Sequence, residues 1–472
     1  MTTTVDVHCH TFNADDLPVE GFVRRVSFHD ALADDIATVV DALIQGRAPG
    51  YLREKQRLDA LLAPPVAGAP AALAVPPDLE AETDAALAAL LSSDPALVVR
   101  LGARMPKSPA ETAVAGLGTE GVGDWLAGAR RAVRWVELFG MSRLDVTSHL
   151  VTAFGEDQVD LFTPMLVDLG MGLHDTAGTS MPQQVELQEK ISRLSMLGRL
   201  PGTTRSRVHP FIGFDPRREL QGGHDVVQPL ELVRTAVEKD GFIGVKLYPP
   251  MGFRPIDNTK TRDMTEQEAV AVDGVLRELY GWCQQEQVPI TAHCGASNAA
   301  HEDYLGFSSP ASWAKVLAEF PGLHLNLGHF GGAEATLAPE GWPRAIAALA
   351  GRHPHLFADV GNHRIDQSDI AHGYLQALKT MFGEEGTSEM RSRLMYGSDW
   401  FMLAILPEHE RFLAHYRSLY DETMGDPAAT AEFMGGAALR FLGFDDPGNR
   451  NRRRLRARYE RYAPDRVPSW LA

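Results

Sequence analysis

The sequence has few cysteines and no long apolar run, and each absence excludes a class of protein. Its 472 residues include only three cysteines and no CxxC pair, which excludes a disulfide scaffold and a cysteine-based structural zinc site. No stretch approaches the roughly 18 consecutive apolar residues of a membrane helix. The N-terminal residues MTTTVDVHCH form neither a basic nor an apolar signal-peptide region. We therefore expect a cytoplasmic protein without a membrane partner.

Positive charge is also scarce. The chain has 45 Lys and Arg against 62 Asp and Glu, a formal net charge of -17 at pH 7. Nucleic-acid binding needs clustered cations, so we expect no nucleic-acid partner. The tail 446–472 is the one basic region, and it is predicted to form a terminal helix that pairs with acidic surface of this chain or of a partner subunit. The expected partner is a small-molecule substrate, and homo-oligomerisation stays open.

Eight short apolar runs alternate with helical segments and predict the fold. The runs are apolar throughout and do not alternate between apolar and polar residues, as in parallel strands that are buried on both faces. Eight such units predict a (β/α)8 barrel of the α/β class. An open doubly wound sheet is the alternative, but nothing resembling GxGxxG follows the first run. The predicted strands are 5–12, 161–169, 208–214, 242–248, 288–294, 323–329, 356–360 and 393–399.

The spacing of the runs divides the chain into three parts. Residues 1–12 and 160–445 are predicted to form the barrel. Residues 13–159 are rich in helical periodicity and are predicted to form a large helical insertion after the first strand. Because the insertion leaves from the carboxyl end of that strand, we expect it to cover the mouth of the barrel. Residues 446–472 are the basic C-terminal tail.

Five polar residues lie at or near the carboxyl ends of predicted strands, where a parallel barrel gathers its active site. His8 and His10 share one face of the first strand, and His293, His329 and Asp399 end later strands. A single histidine in such a run is typical of a hydrogen-bonded core residue. Four imidazoles and a carboxylate in one mouth, in contrast, are costly to desolvate without a cation. The pattern predicts a divalent metal, with Zn²⁺ favoured and Mn²⁺, Fe²⁺ or Co²⁺ as alternatives.

The ordered set His8-Cys9-His10, His293, His329 and Asp399 resembles the amidohydrolase superfamily. The closer similarity is to its amidohydrolase-related branch, which includes aminocarboxymuconate semialdehyde decarboxylase-like enzymes. The segments FIGFDP (211–216), GVKLYPP (244–250) and LNLGHFGG (325–332) are similar to strand ends of that branch. The resemblance covers residues 1–12 and about 160–445, and nothing in it extends to the insertion.

The resemblance implies that His8, His10, His293 and Asp399 hold one metal, with His329 beside it as an acid/base or carbonyl polariser. A metal lowers the pKa of water and a carboxylate can take the proton, so Asp399 is the expected ligand and base. Lys246 is ambiguous, because some amidohydrolases use a carboxylated lysine there to bridge two metals. A lysine that pairs with substrate or with aspartate is the other interpretation, and we favour one metal.

Further candidates and the reaction itself stay open at this point. Arg254 could bind a substrate carboxylate or form a surface salt bridge. Weaker candidates for lining the site are His174, Asn298, His301, Asn362 and His363. The leading function is a hydrolase that uses a metal-activated water on an amide, lactone or related C–N or C–O bond. The alternatives are a decarboxylase or hydratase (lyase) acting on an unsaturated or aromatic carboxylic acid, and a non-catalytic barrel.

Overall fold

The computed structural model describes residues 3–27, 31–44, 47–64, 77–105, 122–155, 158–221, 228–261, 263–295, 298–332, 341–363 and 368–472. Each of the eight predicted runs contains a strand. The strands are β1 (Val5–Cys9), β2 (Leu161–Pro164), β3 (Arg207–Val208), β4 (Phe211–Phe214), β5 (Gly244–Leu247), β6 (Ile290–Gly295), β7 (Leu325–Gly331), β8 (Leu356–Asp359) and β9 (Leu394–Met395).

All strand pairs are parallel and lie in two sheets, in the orders β1-β2-β3 and β4-β5-β6-β7-β8-β9. β3 and β4 share one position of the ring and are separated at His209 and Pro210, because proline has no N–H to continue the ladder. Single parallel bridges join the sheets at both edges, Met165 with Phe211 and Cys9 with Trp400. The parallel strands are therefore consistent with the predicted ring of eight, although they form two sheets and not one closed ladder.

Helices follow the strands on the outside of the ring, which is the (β/α)8 arrangement. The helices after β2 are Gly170–Leu173, Met181–Met196, Pro229–Lys239, Glu266–Glu286, Pro310–Glu319, Trp342–Ala350, Ser368–Phe382, Phe412–Met424, Pro427–Ala431, Ala437–Leu442 and Arg450–Tyr462. None of the helices in the described ranges is long and apolar enough to cross a membrane. The fold class predicted from the sequence is confirmed.

The segment between β1 and β2 is helical, with helices Val19–Gly21, Ala31–Ile44, Tyr51–Leu62, Leu79–Ser93, Pro95–Arg104, Val122–Phe139 and Arg143–Thr152. Two of them cross closely at Gly102, where an added Cβ would lie 1.8 Å from the carbonyl oxygen of Trp125. The fully buried Arg143 guanidinium holds the segment to the chain that follows β1, at 2.6 Å from Asp16 and 2.8 Å from Glu54.

The same segment contacts loops at the carboxyl ends of the strands. Trp135 donates its indole N–H to the carbonyl of Phe401 at 2.8 Å, and Ala14 donates its N–H to the carbonyl of Phe139 at 2.9 Å. These contacts support the prediction that the helices cover the mouth of the barrel. The boundaries of the insertion, 13–159, stay a prediction.

The basic tail forms helix Arg450–Tyr462 and pairs with acidic surface of this chain. Arg450 and Arg454 lie 2.6 Å and 3.5 Å from Glu286, and Arg458 pairs with Glu189. Three of the eight arginines of the tail therefore pair with acidic residues elsewhere in this chain, in agreement with the first of the two predicted alternatives.

Candidate active site

The structure brings together the five polar residues predicted from the strand ends. His8 lies in β1, His10 directly after it, His293 in β6 and His329 in β7, while Asp399 follows β9 by four residues. The last strand is shorter than predicted and ends at Met395, because the next N–H, that of Tyr396, donates to the carbonyl of Phe433 and not across the ring. His329 and Asp399 have φ of 65° and 53°, a left-handed conformation that is unfavourable for non-glycine residues and is typical of functional sites.

The side chains lie within contact of one another and are almost completely shielded from solvent. One ligand atom each of His8, His10 and Asp399 lie within 4.8 Å of one another, a spacing at which a single metal ion can be held. His10 Nε2 is 3.2 Å and His8 Nε2 is 3.8 Å from Asp399 Oδ1. The imidazole of His329 contacts that of His293, with 3.1 Å between Nε2 and Nδ1.

The hydrogen bonds at the outer nitrogens fix the tautomers of His8 and His10. His8 Nδ1 lies 3.0 Å from both oxygens of Asp359, and His10 Nδ1 lies 2.9 Å from the carbonyl of Met165. Carboxylates and carbonyls only accept, so both Nδ1 atoms carry the proton. The Nε2 atoms that face the site therefore present lone pairs unless a second proton is added.

The same logic extends through His329 to His293. His329 Nδ1 donates to the carbonyl of Gly361 at 2.8 Å, which leaves its Nε2 as an acceptor. This Nε2 accepts the Nδ1 proton of His293, so His293 Nε2 is also a lone pair. His293 Nε2 is buried and has no hydrogen-bond partner among the described residues. An orphaned acceptor at this depth is costly, and a metal ion would satisfy it.

The contact between His10 and Asp399 also calls for a cation. A lone pair and a carboxylate oxygen at 3.2 Å repel each other unless a second proton or a metal ion lies between them. Burial raises the pKa of Asp399, but a proton or a cation on the facing imidazoles favours its ionised form and holds the pKa below its usual value. Burial lowers the pKa of His8 to about 4. Neutral imidazoles and an ionised carboxylate are the donor set of a divalent metal site.

Asp359, at the end of β8, is a functional residue that the sequence reasoning missed. It accepts from His8 Nδ1, from Asn326 Nδ2 at 2.7 Å and from the backbone N–H of His329 at 3.2 Å. Carboxylates that orient a metal-binding histidine in this way are common. The signal was present, because Asp359 is the one acidic residue of the run 356–360 and lies near its carboxyl end.

Lys246 lies on β5 inside the same site. Its Nζ is 3.1 Å from His8 Nε2, and only 1% of the residue is exposed. Burial lowers the pKa of Lys246 to about 8, against the opposing charges of Asp359 and Asp399. The lysine therefore faces the atoms that are candidates for metal binding, which is consistent with either interpretation made from the sequence.

The weaker candidates are spread over several positions. Arg254 is not among the residues that line the site, and its guanidinium lies 4.2 Å from the centre of the Phe307 ring. Asn298 lines the site, and His363 Nε2 donates to the carbonyl of His329 at 2.9 Å. His174 and His301 are exposed, and Asn362 donates its backbone N–H to Ser398. Their roles stay predictions.

The cavity at these residues is small and has two unlike walls. Its volume is about 30 Å³. The histidines, Asp399 and Lys246 form the polar wall together with Tyr248, whose ring stacks on His293 with 4.5 Å between centroids. Burial raises the pKa of the Tyr248 hydroxyl, so it stays protonated. The apolar lining residues, which we call the apolar wall, are Phe12, Phe22, Val167, Leu169 and Met402. Phe12 adjoins the polar wall, with 5.5 Å between its ring centroid and that of His10.

Comparison with known proteins adds three solved structures at low similarity. An uncharacterised TIM-barrel protein from Bordetella bronchiseptica is 16% identical, with a TM-score of 0.41 over 64% of this chain and 82% of that one. An amidohydrolase from Burkholderia multivorans with bound HEPES is 12% identical, with a TM-score of 0.40 over 63% and 86%. A probable 2-pyrone-4,6-dicarboxylic acid hydrolase from Acinetobacter baumannii with bound citric acid is 12% identical, with a TM-score of 0.39 over 62% and 87%. Among curated proteins, none matches this chain in sequence.

The family comparison is more specific. Residues 218–444 match the family model described as Amidohydrolase. This range runs from the loop after β4 to the helices after β9, and it includes Lys246, His293, His329, Asp359 and Asp399. This part of the chain is therefore similar to the amidohydrolase superfamily, and the match supports an enzyme of the hydrolase type.

Proposed function

We propose that this chain is a hydrolase that holds one divalent metal and cleaves an amide, lactone or related C–N or C–O bond of a small substrate. The observation that carries the proposal is the set of protonation states at the site. Three histidine Nε2 atoms present lone pairs toward one cavity beside an ionised carboxylate, and one of them has no partner. Such a set fits a cation better than it fits an apolar ligand.

The proposed ligands are His8, His10, His293 and Asp399, and Zn²⁺ is the favoured metal for this nitrogen and carboxylate set. A bound metal would act as a Lewis acid that polarises a carbonyl and lowers the pKa of water to near neutrality. Asp359 and the carbonyl of Met165 hold the ligand histidines in the required tautomers.

Two residues are proposed to move protons. The Asp399 carboxylate, whose pKa is held low against burial, would accept a proton from the attacking water. The Nε2 lone pair of His329 would take over that proton and give up its contact with His293. The imidazolium formed in this way would stabilise the developing oxyanion or protonate the leaving group, from a ring that is held in place by the carbonyl of Gly361. Tyr248, protonated and adjacent to His293, is a further donor toward a carbonyl oxygen.

The experiment combines metal analysis with isotope labelling. Protein purified without chelator should contain about one equivalent of divalent metal, and a panel of amides and lactones should be turned over only when the metal is present. Hydrolysis in ¹⁸O-labelled water should place one labelled oxygen in the acid product. Stoichiometric CO2 release from an aromatic or unsaturated acid, without label in the product, would establish the lyase alternative instead.

The metal count also decides the role of Lys246. About two equivalents, reduced by Lys246→Ala, would support a carboxylated lysine between two metals. A count of about one that is unchanged in Lys246→Ala supports the mononuclear site. Turnover that persists at full rate after metal removal would contradict the proposal.

A further inference from the structure

The proposed function does not specify the class of substrate. The residues that line the cavity indicate which chemical groups a substrate could carry. The polar wall contains the groups that would act on the bond to be cleaved. The apolar wall has no group that could act on that bond, so it would contact other parts of the substrate. Its five side chains come from three loops at the carboxyl ends of the strands and from the start of the helical segment after β1.

The apolar wall is continuous with a larger aromatic cluster. The ring of Phe12 lies 5.6 Å from that of Phe22, 6.1 Å from that of Phe139 and 4.7 Å from that of Phe401, between centroids. Phe12 and Phe22 are 3% and 5% exposed. No member of this wall offers a hydrogen-bond donor or a positive charge. A charged group placed against it would lose its hydration without compensation.

Two arginines near the mouth are already paired with aspartates. Arg217 donates from Nε to Asp215 at 2.9 Å, and Arg218 donates from Nε to Asp168 at 2.6 Å. Both aspartates are buried, so these arginines are held at the ends of β2 and β4. Neither arginine is among the residues that line the cavity.

Two further cations, Arg254 and Lys246, do not lie at the apolar wall, where they could pair with a substrate carboxylate. Arg254 lies over the ring of Phe307, outside the lining. Lys246 is the one lysine or arginine among the lining residues, and it faces His8 on the polar wall. A carboxylate on the distal part of a substrate would thus find no partner among the described residues of the lining.

We propose that the substrate carries an uncharged aromatic or aliphatic group beyond the bond that is cleaved, and that this group contacts Phe12, Phe22, Val167, Leu169 and Met402. The inference rests on the proposed function, because it assumes that the polar wall holds the reacting bond. It selects neutral amides, lactones or esters with an apolar side and disfavours dicarboxylates and sugar acids. The gain in affinity comes from the apolar area that the group removes from water.

A pair of hydroxamates tests the inference without turnover. Benzohydroxamate and 4-carboxybenzohydroxamate share the metal-chelating group and differ in charge at the far end of the ring. Binding of each to the metal-loaded protein is measured by titration calorimetry. The neutral compound should bind at least about tenfold more tightly. Equal binding, or tighter binding of the carboxylated compound, would overturn the inference.

The same titrations separate failure of the inference from failure of the proposed function. If both compounds bind only when metal is present but without preference for the neutral one, the substrate class is wrong and the metal site stands. If neither compound binds, or if binding is unchanged after metal removal, the proposed metal-dependent function fails and the inference with it.

Variants of the wall give a second readout. Met402 is the most exposed residue of the wall, so a polar replacement should fold. Met402→Lys should bring the affinities of the two compounds to within about threefold by adding a partner for the carboxylate, whereas the matched neutral variant Met402→Gln should keep the preference. Arg254→Ala should change neither affinity by more than about twofold. Loss of binding of the carboxylated compound in Arg254→Ala would place a cationic subsite at Arg254 and overturn the inference.

Discussion

The two ends of the barrel both collect histidines and acidic residues, but they differ in how their polar atoms are paired. At the amino ends of the strands, His324 and His355 stack with 4.5 Å between centroids in a groove of about 800 Å³. Arginines in that groove are paired, for example Arg391 with Asp426 at 2.8 Å and Arg440 with Glu432. At the carboxyl ends the cavity is only about 30 Å³, but lone pairs and a carboxylate face one another.

The difference shows that cavity size does not identify the active site in this molecule. The amino-end groove is larger, and its three arginines are each paired with an acidic residue. The carboxyl-end cavity is small because the helical segment after β1 packs on it, and its polar atoms are arranged so that a cation is needed. Functional assignment therefore follows the pattern of donors and acceptors, which is also where parallel barrels place their chemistry.

The largest expected effect is a loss of bound metal when a histidine at the carboxyl end is replaced, but not when one at the amino end is replaced. His8→Ala and His293→Ala should each lower the metal content from about one equivalent to below about 0.1, because each removes a proposed ligand. His355→Ala, at the amino-end groove, is the matched control and should keep the metal. Inductively coupled plasma mass spectrometry on chelator-free protein measures the content. Full occupancy in both carboxyl-end variants would contradict the ligand assignment.

The next effect concerns the proposed base. Asp399→Asn should lower kcat by roughly 10²–10⁴-fold, since the amide can still coordinate but cannot accept a proton. Most of the metal should remain bound. Asp426→Asn, which disrupts a pair at the other end, should leave kcat within about twofold. Near-normal turnover of Asp399→Asn would move the base elsewhere, with His329 as the first alternative.

A smaller effect is expected at Asp359, which contacts His8 without being a proposed ligand. Asp359→Asn should weaken metal affinity by about 10–100-fold, because the His8 tautomer is no longer held by a charge. Asp168→Asn removes a buried carboxylate of similar depth that pairs with Arg218, and it should not change metal affinity. Competition with a fluorescent chelator measures both. Equal affinity in Asp359→Asn and the parent would show that Asp359 does not position His8.

The smallest effect is on acid stability. Burial lowers the pKa of His363 from 6.5 to about 4, so between these values the unfolded chain binds a proton that the folded chain does not. The free energy of unfolding should therefore fall as the pH drops below 6.5, by about 2 kcal/mol at pH 5 for this residue. His363→Gln should remove that part of the pH dependence, and His355→Gln, at a half-buried position, should remove less. Urea unfolding from pH 8 to pH 5 measures it, and identical pH profiles for the parent and both variants would contradict it.

Much of the fold and part of the site were predictable because they depend on local patterns. Continuous apolar runs predict buried parallel strands whatever the rest of the chain does, and all eight contain a strand. The polar residues that end these runs point to the carboxyl end of the barrel, and His8, His10 and Asp399 do meet there. The positions of Lys246 and Asn298 in the cavity agree with the same reasoning.

Other features depend on contacts that no local pattern encodes. Asp359 lies near the end of an apolar run, as other site residues do. Only its contact with His8 distinguishes it from an aspartate that is simply buried in the core. Arg254 follows a strand as a ligand-binding arginine would, yet Phe307 holds it outside the lining. The break of β3 from β4 at Pro210 and the early end of β9 likewise reflect which N–H groups find partners across the ring.

The sequence by itself determined the class of fold, the end of the barrel that carries the chemistry, and the residue types that a metal site requires, because these follow from hydrophobic periodicity and from where strands end. Only the tertiary structure decided which nitrogen of each histidine is free, since that depends on the acceptor behind it: Asp359, Met165 or Gly361. It also decided that one part of the cavity lining is apolar. Phe12 and Phe22 are distant in sequence from Met402, and these residues line one cavity only when the loops and the helical segment pack over the ring.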